Sequence, residues 1–158
     1  MLVRREEIDN ELKDASFDYF YWFSRFEFAL KENKYLKNHQ ADANAEPNWE
    51  EFQKKHKTEY VVSREASRLI GLHPKRQIVS ENEELDWRPV GVSHCKDDLC
   101  RVIIMLNAVR NNLFHGGKHG DVEVDSKARN IELLRIGKVV LDQLARLAGF
   151  ESDYTRYY

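Results

Sequence analysis

Between Phe17 and Leu30 the chain carries Phe17, Tyr19, Phe20, Tyr21, Trp22, Phe23, Phe26 and Phe28, with no glycine or proline in the stretch. That much aromatic surface needs a core to cover it, and the missing turn residues imply one continuous element. Asp14, Asp18, Arg25 and Glu32 recur at helical spacing as a narrow polar stripe. The segment is therefore predicted to be a helix, from about Arg5 to Tyr35, apolar around most of its circumference. Two arrangements satisfy such a helix. It can be the centre of one subunit's core, or it can pack on its own bundle and on a second copy as well.

The rest of the chain reads as helical too. It contains only 7 glycines and 3 prolines, and the Gly-rich hairpin signals of a β protein are missing. Asn38 to Asn48, with Pro47, reads as a loop. Short helices are expected over Trp49–Tyr60 and Val62–Gly71, with Pro74 closing the second. Lys75 to His94, with Pro89 and Gly91, shows no period and suits either a long functional loop or a short hairpin.

A further helix is predicted from Lys96 to His115, with Ser93 or Asp97 as N-cap and Gly116-Gly117 as its stop. Leu99, Val102, Leu106, Val109 and Leu113 form its core stripe. After a loop over Lys118–Val124, a last helix runs from about Asp125 to Ala148, capped by Asp125 or Ser126. Its stripe is Leu134, Leu141, Leu144 and Ala148, with Gly137 as a close-packing point. The expected architecture is all-α: one domain over residues 1–158, an antiparallel up-and-down bundle of four to five helices.

Composition narrows the function. The net charge is -2, so no overall basic field points to nucleic acid, and any such contact would be local. No apolar run approaches the ~20 residues that span a bilayer. Met1 to Asp14 is too charged for a secretory signal. Cys95 and Cys100 are too few for a disulfide framework and read as thiols of a reducing, cytoplasmic setting.

Seen down its axis at roughly 100° per residue, the helix ending at His115 has two sides. With Arg110 at zero, the core stripe clusters near roughly 300°, while Asn107, Asn111 and His115 fall at roughly 60°, 100° and 140°. Ile103, Ile104 and Cys100 share that second side. An arginine, two asparagines and a histidine beside apolar residues suggest a face covered by another helix or another subunit.

The run Arg110-Asn111-Asn112-Leu113-Phe114-His115-Gly116-Gly117-Lys118 resembles the signature of the HEPN superfamily. That signature is an arginine, a polar residue, and a histidine four to six positions after the arginine, in the last large helical hairpin of a bundle. The long aromatic first helix with Phe26-Glu27, and Arg129-Asn130 at the start of the last helix, fit the likeness. The resemblance implies a homodimer whose two motifs face one another across a cleft. It also implies metal-independent cleavage of RNA without a cofactor, in a toxin or phage-defence setting with an antitoxin as a possible partner. Some HEPN toxins carry a tyrosine two residues after the histidine, which a partner nucleotidyltransferase modifies; here that position is Gly117, so this regulation is not expected.

Elementary chemistry suits the same residues. Attack by an RNA 2′-hydroxyl needs a proton acceptor and a stabiliser for the charge growing on phosphorus. An imidazole such as His115 exchanges protons near neutrality. Arg110 offers a planar fork for phosphate oxygens, and Asn111 can orient either group. Asn107, Lys118 and His119 are candidate RNA contacts. Glu27 shares a helix face with Phe20, Phe23 and Leu30, and a buried carboxylate there needs a partner, for which Arg110 is the candidate; the plain alternative is an edge carboxylate reaching water.

The motif has plain alternatives as well. A histidine in a last helical turn often serves only to cap free carbonyls, and a flanking arginine is often merely solvated. A catalytically silent HEPN-like module that binds RNA, nucleotide or protein would carry the same residues. His94, Cys95 and Cys100 match no standard zinc spacing, so no metal is expected, and Gly116-Gly117-Lys118 lacks the glycine spacing of a phosphate loop.

Overall fold

A computed structural model describes residues 10–115 and 127–156, with the backbone alone for Phe114 and His115. The elements are α1 (Asn10–Glu32), α2 (Trp49–His56), α3 (Arg64–Leu72), β1 (Lys75–Val79), β2 (Leu85–Pro89), α4 (Asp98–His115), α5 (Lys127–Ala148) and α6 (Glu151–Thr155). The fold is mostly helical, and the expected all-α bundle of four to five helices needs amending in two places, by a small hairpin and by a sixth helix.

The first amendment is the segment 75–94. β1 and β2 form an antiparallel hairpin, pairing Lys75 with Pro89 and Val79 with Leu85. Ser80 to Glu84 make its turn, with Glu83 in the left-handed region at φ 60° and the Ser80 N–H donating to the Glu84 carbonyl. Pro89 is tolerated because a two-stranded sheet is all edge. Trp87 is the buried residue of the hairpin, whereas Val79 and Leu85 stay exposed.

The second is α6, which brings the described residues to six helices. Gly149 at φ +70° ends α5 and turns the chain. Phe150 then re-enters the core, with its ring 5.9 Å from Phe26 and 5.9 Å from Phe52. Tyr154, one turn later, is buried as well.

Helix α1 packs chiefly on α5 and α6, and α3 lies on α5. The close approach of α1 to α5 occurs at Gly137, where a Cβ would come within 2.6 Å of the Tyr19 ring. An aromatic cluster fills the neighbouring space: Phe26 stacks on Trp49 at 4.9 Å, and Phe52 packs on Tyr35 and His56. Tyr19, Phe23, Phe26, Ala29 and Leu30 give α1 its buried face. Phe17 (69% exposed), Phe20 and Tyr21 remain outside, so the chain does not absorb all of the aromatic surplus.

Arg25 corrects the expected polar stripe. Asp14, Asp18 and Glu32 are exposed, but Arg25 is buried. Its Nε donates to the Tyr154 carbonyl at 3.1 Å and its Nη2 donates to the Asp153 carbonyl. A cation at the last carbonyls of a short helix meets the favourable end of its dipole. Arg25 therefore ties α6 to α1, a role invisible before α6 is known.

Candidate functional site

Helix α4 begins on Asp97, whose Oδ1 accepts from the Cys100 N–H at 2.8 Å. Of the two N-cap candidates, Asp97 makes the bond. Its Oδ2 accepts from Gln53 Nε2 at 2.6 Å and so also fastens α4 to α2. Leu99, Val102, Leu106 and Val109 are buried as one stripe, together with Met105. Leu113 is half-buried against the same core. The Tyr19 hydroxyl donates to the Leu106 carbonyl at 2.6 Å, joining α4 to α1.

This burial sets the helix's rotation, so that Asn107 and Arg110 are half-buried and Asn111 is exposed. Arg110 Nη1 donates to Asn111 Oδ1 at 3.0 Å, which orients the guanidinium along the helix. Asn107 Nδ2 donates back to the Ile103 carbonyl at 2.9 Å. Ile103 itself belongs to the core and does not share the outer face as expected. Backbone helicity continues without a break to His115. The side chain of His115, and Gly116, Gly117, Lys118 and His119 altogether, lie outside the described residues.

Two cavities flank Arg110 and Asn111. One of about 500 Å³ is lined by Arg110 and Asn107 with Glu27, Lys37, Glu46 and Glu50. The other, of about 340 Å³, is lined by Asn107, Asn111 and Asn112 with Ile104, Arg76 and Gln77 of β1. Asn107 borders both. The hairpin is held there by Asn112 Nδ2, which donates to the Lys75 carbonyl at 3.0 Å. Part of the cover expected over this face thus comes from the chain's own 75–94 segment.

Glu27 is half-buried, and its Oε2 accepts from the Trp49 indole N–H at 2.8 Å. Arg110, its expected partner, lines the same cavity. Burial pushes the Tyr19 phenol well above its ordinary pKa, and the negative charge of Glu27 adds to the rise. Arg129, at the start of α5, donates through its Nη2 to the Leu72 carbonyl at 2.6 Å and the His73 carbonyl at 3.3 Å. It caps the end of α3 and stands apart from both cavities.

Comparison with known families, curated proteins and solved structures finds no match to this chain.

Cys95 and Cys100 are joined as a disulfide across the start of α4, in place of the expected free thiols. Five residues of separation and a single turn into the helix bring the two sulfurs together, which a linear reading does not reveal. No helix among the described residues is long and apolar enough to cross a membrane.

Lys37 and Arg76 are the cations that sequence reasoning missed. Both are remote from the motif along the chain, and only the 33–48 loop and the β1–β2 hairpin bring them to it. The loop is closed by the Lys37 N–H donating to the Glu46 carbonyl at 3.0 Å and by a bridge between Leu36 and Pro47. Chemically, the face offers guanidinium and amide donors suited to phosphate oxygens, next to a helix end bearing an imidazole residue.

Proposed function

We propose that the chain is a HEPN-type endoribonuclease that cuts RNA without a metal ion, working as a homodimer. The observation that carries this reading is that one uninterrupted helix bears Arg110, Asn111 and His115, with Arg110 and Asn111 off its core stripe.

In the proposed reaction His115 takes the proton of the RNA 2′-hydroxyl as its oxygen bonds to phosphorus. The 5′-oxygen leaves and is protonated by an imidazolium. Arg110 stabilises the charge on the equatorial phosphate oxygens, held in orientation by Asn111. Asn107, Lys118 and His119 are the proposed further RNA contacts, and Glu27 supports the site through Trp49. A toxin or phage-defence role with an antitoxin partner is the setting this activity suits.

The acidic surroundings favour a second reading. Glu27, Glu46 and Glu50 share the larger cavity with Arg110 and Lys37. Three carboxylates beside two cations suit a polyanion poorly, and fit better a silent module that binds a partner protein.

One set of measurements separates the two. The nuclease cuts RNA in excess EDTA, leaves 2′,3′-cyclic phosphate and 5′-hydroxyl ends, and spares DNA and RNA methylated at the 2′-hydroxyl. Arg110→Ala and His115→Ala each lower the rate by ~10²–10⁴-fold, with thermal stability retained. Strict dependence on magnesium or manganese, 3′-hydroxyl ends, or normal cleavage by either variant overturns the proposal. RNA binding without cleavage, lost in Arg110→Ala, points to a silent RNA-binding module instead, and neither cleavage nor binding of RNA favours the second reading.

A further inference from the structure

At the other end of α4 stands a cluster that the proposed reaction does not use. Cys95 Sγ, Cys100 Sγ and a ring nitrogen of His94 lie within 4.8 Å of one another. His94 Nε2 is 3.9 Å from Cys95 Sγ. Arg110 lies about 15 Å further along the helix axis than Cys100, at ~1.5 Å per residue, so this cluster and the motif are separate.

We infer that in the reduced protein Cys95, Cys100 and His94 form a binding site for a thiophilic divalent cation of the zinc class. The inference does not rest on the ribonuclease reading.

Zn–S bonds of ~2.3 Å and Zn–N bonds of ~2.0–2.1 Å put tetrahedral ligand atoms about 3.5–3.8 Å apart. The imidazole nitrogen is already within a few tenths of an ångström of that separation from Cys95 Sγ. The two sulfurs must part, which breaking their bond permits. An external dithiol supplies two electrons and two protons, opens the bond to two thiols, and is itself oxidised to a disulfide. Binding of Zn²⁺ then releases both thiol protons to solvent.

The product, two thiolates, a neutral imidazole and Zn²⁺, carries no net charge. Lys54, Lys57 and Lys96, which line the adjoining cavity, therefore oppose no net charge. Cys100 sits in the first turn of α4, where the helix dipole favours negative charge on sulfur. Asp97 is committed to the Cys100 N–H and to Gln53. The fourth position is thus left to water, on the side of the cavity of about 540 Å³ that His94 and Cys100 border. The linear spacing hides this set, because the turn closed by the Cys95 N–H donating to the Val92 carbonyl and the bend at Asp97 fold the three residues onto one spot.

The test uses the untagged full chain, reduced with dithiothreitol and freed of it by anaerobic gel filtration, then titrated with Co²⁺. The inference expects a near-ultraviolet thiolate-to-cobalt charge-transfer band that saturates at one Co²⁺ per chain and is lost on adding Zn²⁺. Cys95→Ser and Cys100→Ser each abolish the band. His94→Ala weakens Co²⁺ binding more than about 10-fold, since even outer partners of a metal ligand are worth about 10–100-fold. His94 is exposed, so this variant keeps the fold, which circular dichroism verifies. Absence of the band in the reduced chain, its persistence in Cys100→Ser, or unchanged affinity in His94→Ala overturns the inference.

Discussion

Gly137→Ala is the sharpest probe of the packing that holds the motif helix in place. An added Cβ would sit 2.6 Å from Tyr19 Cε2, 3.2 Å from Cδ2 and 3.4 Å from Cζ. The ring cannot swing away cheaply. It is fully buried, and its hydroxyl is tied to the Leu106 carbonyl at 2.6 Å. Alanine gains up to about 1 kcal/mol over glycine in a helix interior, while overpacking a close-packed core costs about 1–3 kcal/mol. A contact this short puts the cost at the upper end of that range, leaving a net loss of about 1–2 kcal/mol. At about 2–4 °C per kcal/mol for a domain of this size, thermal unfolding followed by circular dichroism should fall by about 2–8 °C. Tyr19→Leu removes the offending ring, so Gly137→Ala should cost less in that background than alone, a coupling read from a double-mutant cycle. A Gly137→Ala protein as stable as wild type, or more so, refutes the account of how α1 meets α5.

Other consequences follow from the same contacts. Arg25→Met keeps the apolar stem but leaves the Asp153 and Tyr154 carbonyls without their charged donor, so stability should drop by about 1.5–3 kcal/mol; a neutral result in urea unfolding would show that α6 is not held by Arg25. Burial, helped by Lys55 and opposed by Glu59, lowers the pKa of His56 in the fold. The unfolded chain therefore binds that proton more readily, and the stability His56 gives at neutral pH is lost as pH falls below about 6.5 towards the lowered value in the fold. The fall in melting temperature between about pH 7.5 and about pH 5.5 should be larger in wild type than in His56→Gln, and equal falls would contradict this. Exposed Phe17, Phe20 and Tyr21 motivate the proposed dimer, which should bury more than ~1,000 Å²; sedimentation showing a monomer at micromolar concentration would count against it.

Much of the fold was legible in the linear chain, because helical periodicity is a local property. The stripe of α4, the apolar face of α1, and Gly137 as a contact point all follow from spacing and side-chain size, and the structure places them as spacing requires. Where chemistry depended on chain reversal, spacing was silent. Phe150 and Tyr154 lie beyond the last expected helix until Gly149 turns them into the core. Arg25 looks solvated until α6 presents its carbonyls. Cys95 and Cys100 look like isolated thiols until the start of α4 brings the sulfurs together.

The motif divides along the same line. Sequence alone determined which residues share a helix with Arg110, since a period of 3.6 residues fixes their angular positions. Only the tertiary structure decided what stands opposite them. Glu27 was already a candidate partner in the linear chain, whereas Lys37 and Arg76 reach the site from a closed loop and a hairpin, and placements of that kind depend on long-range packing such as the burial of Trp87. A periodic pattern tells a helix which face to hide, but the partners on its other face are set by where the rest of the core comes to lie.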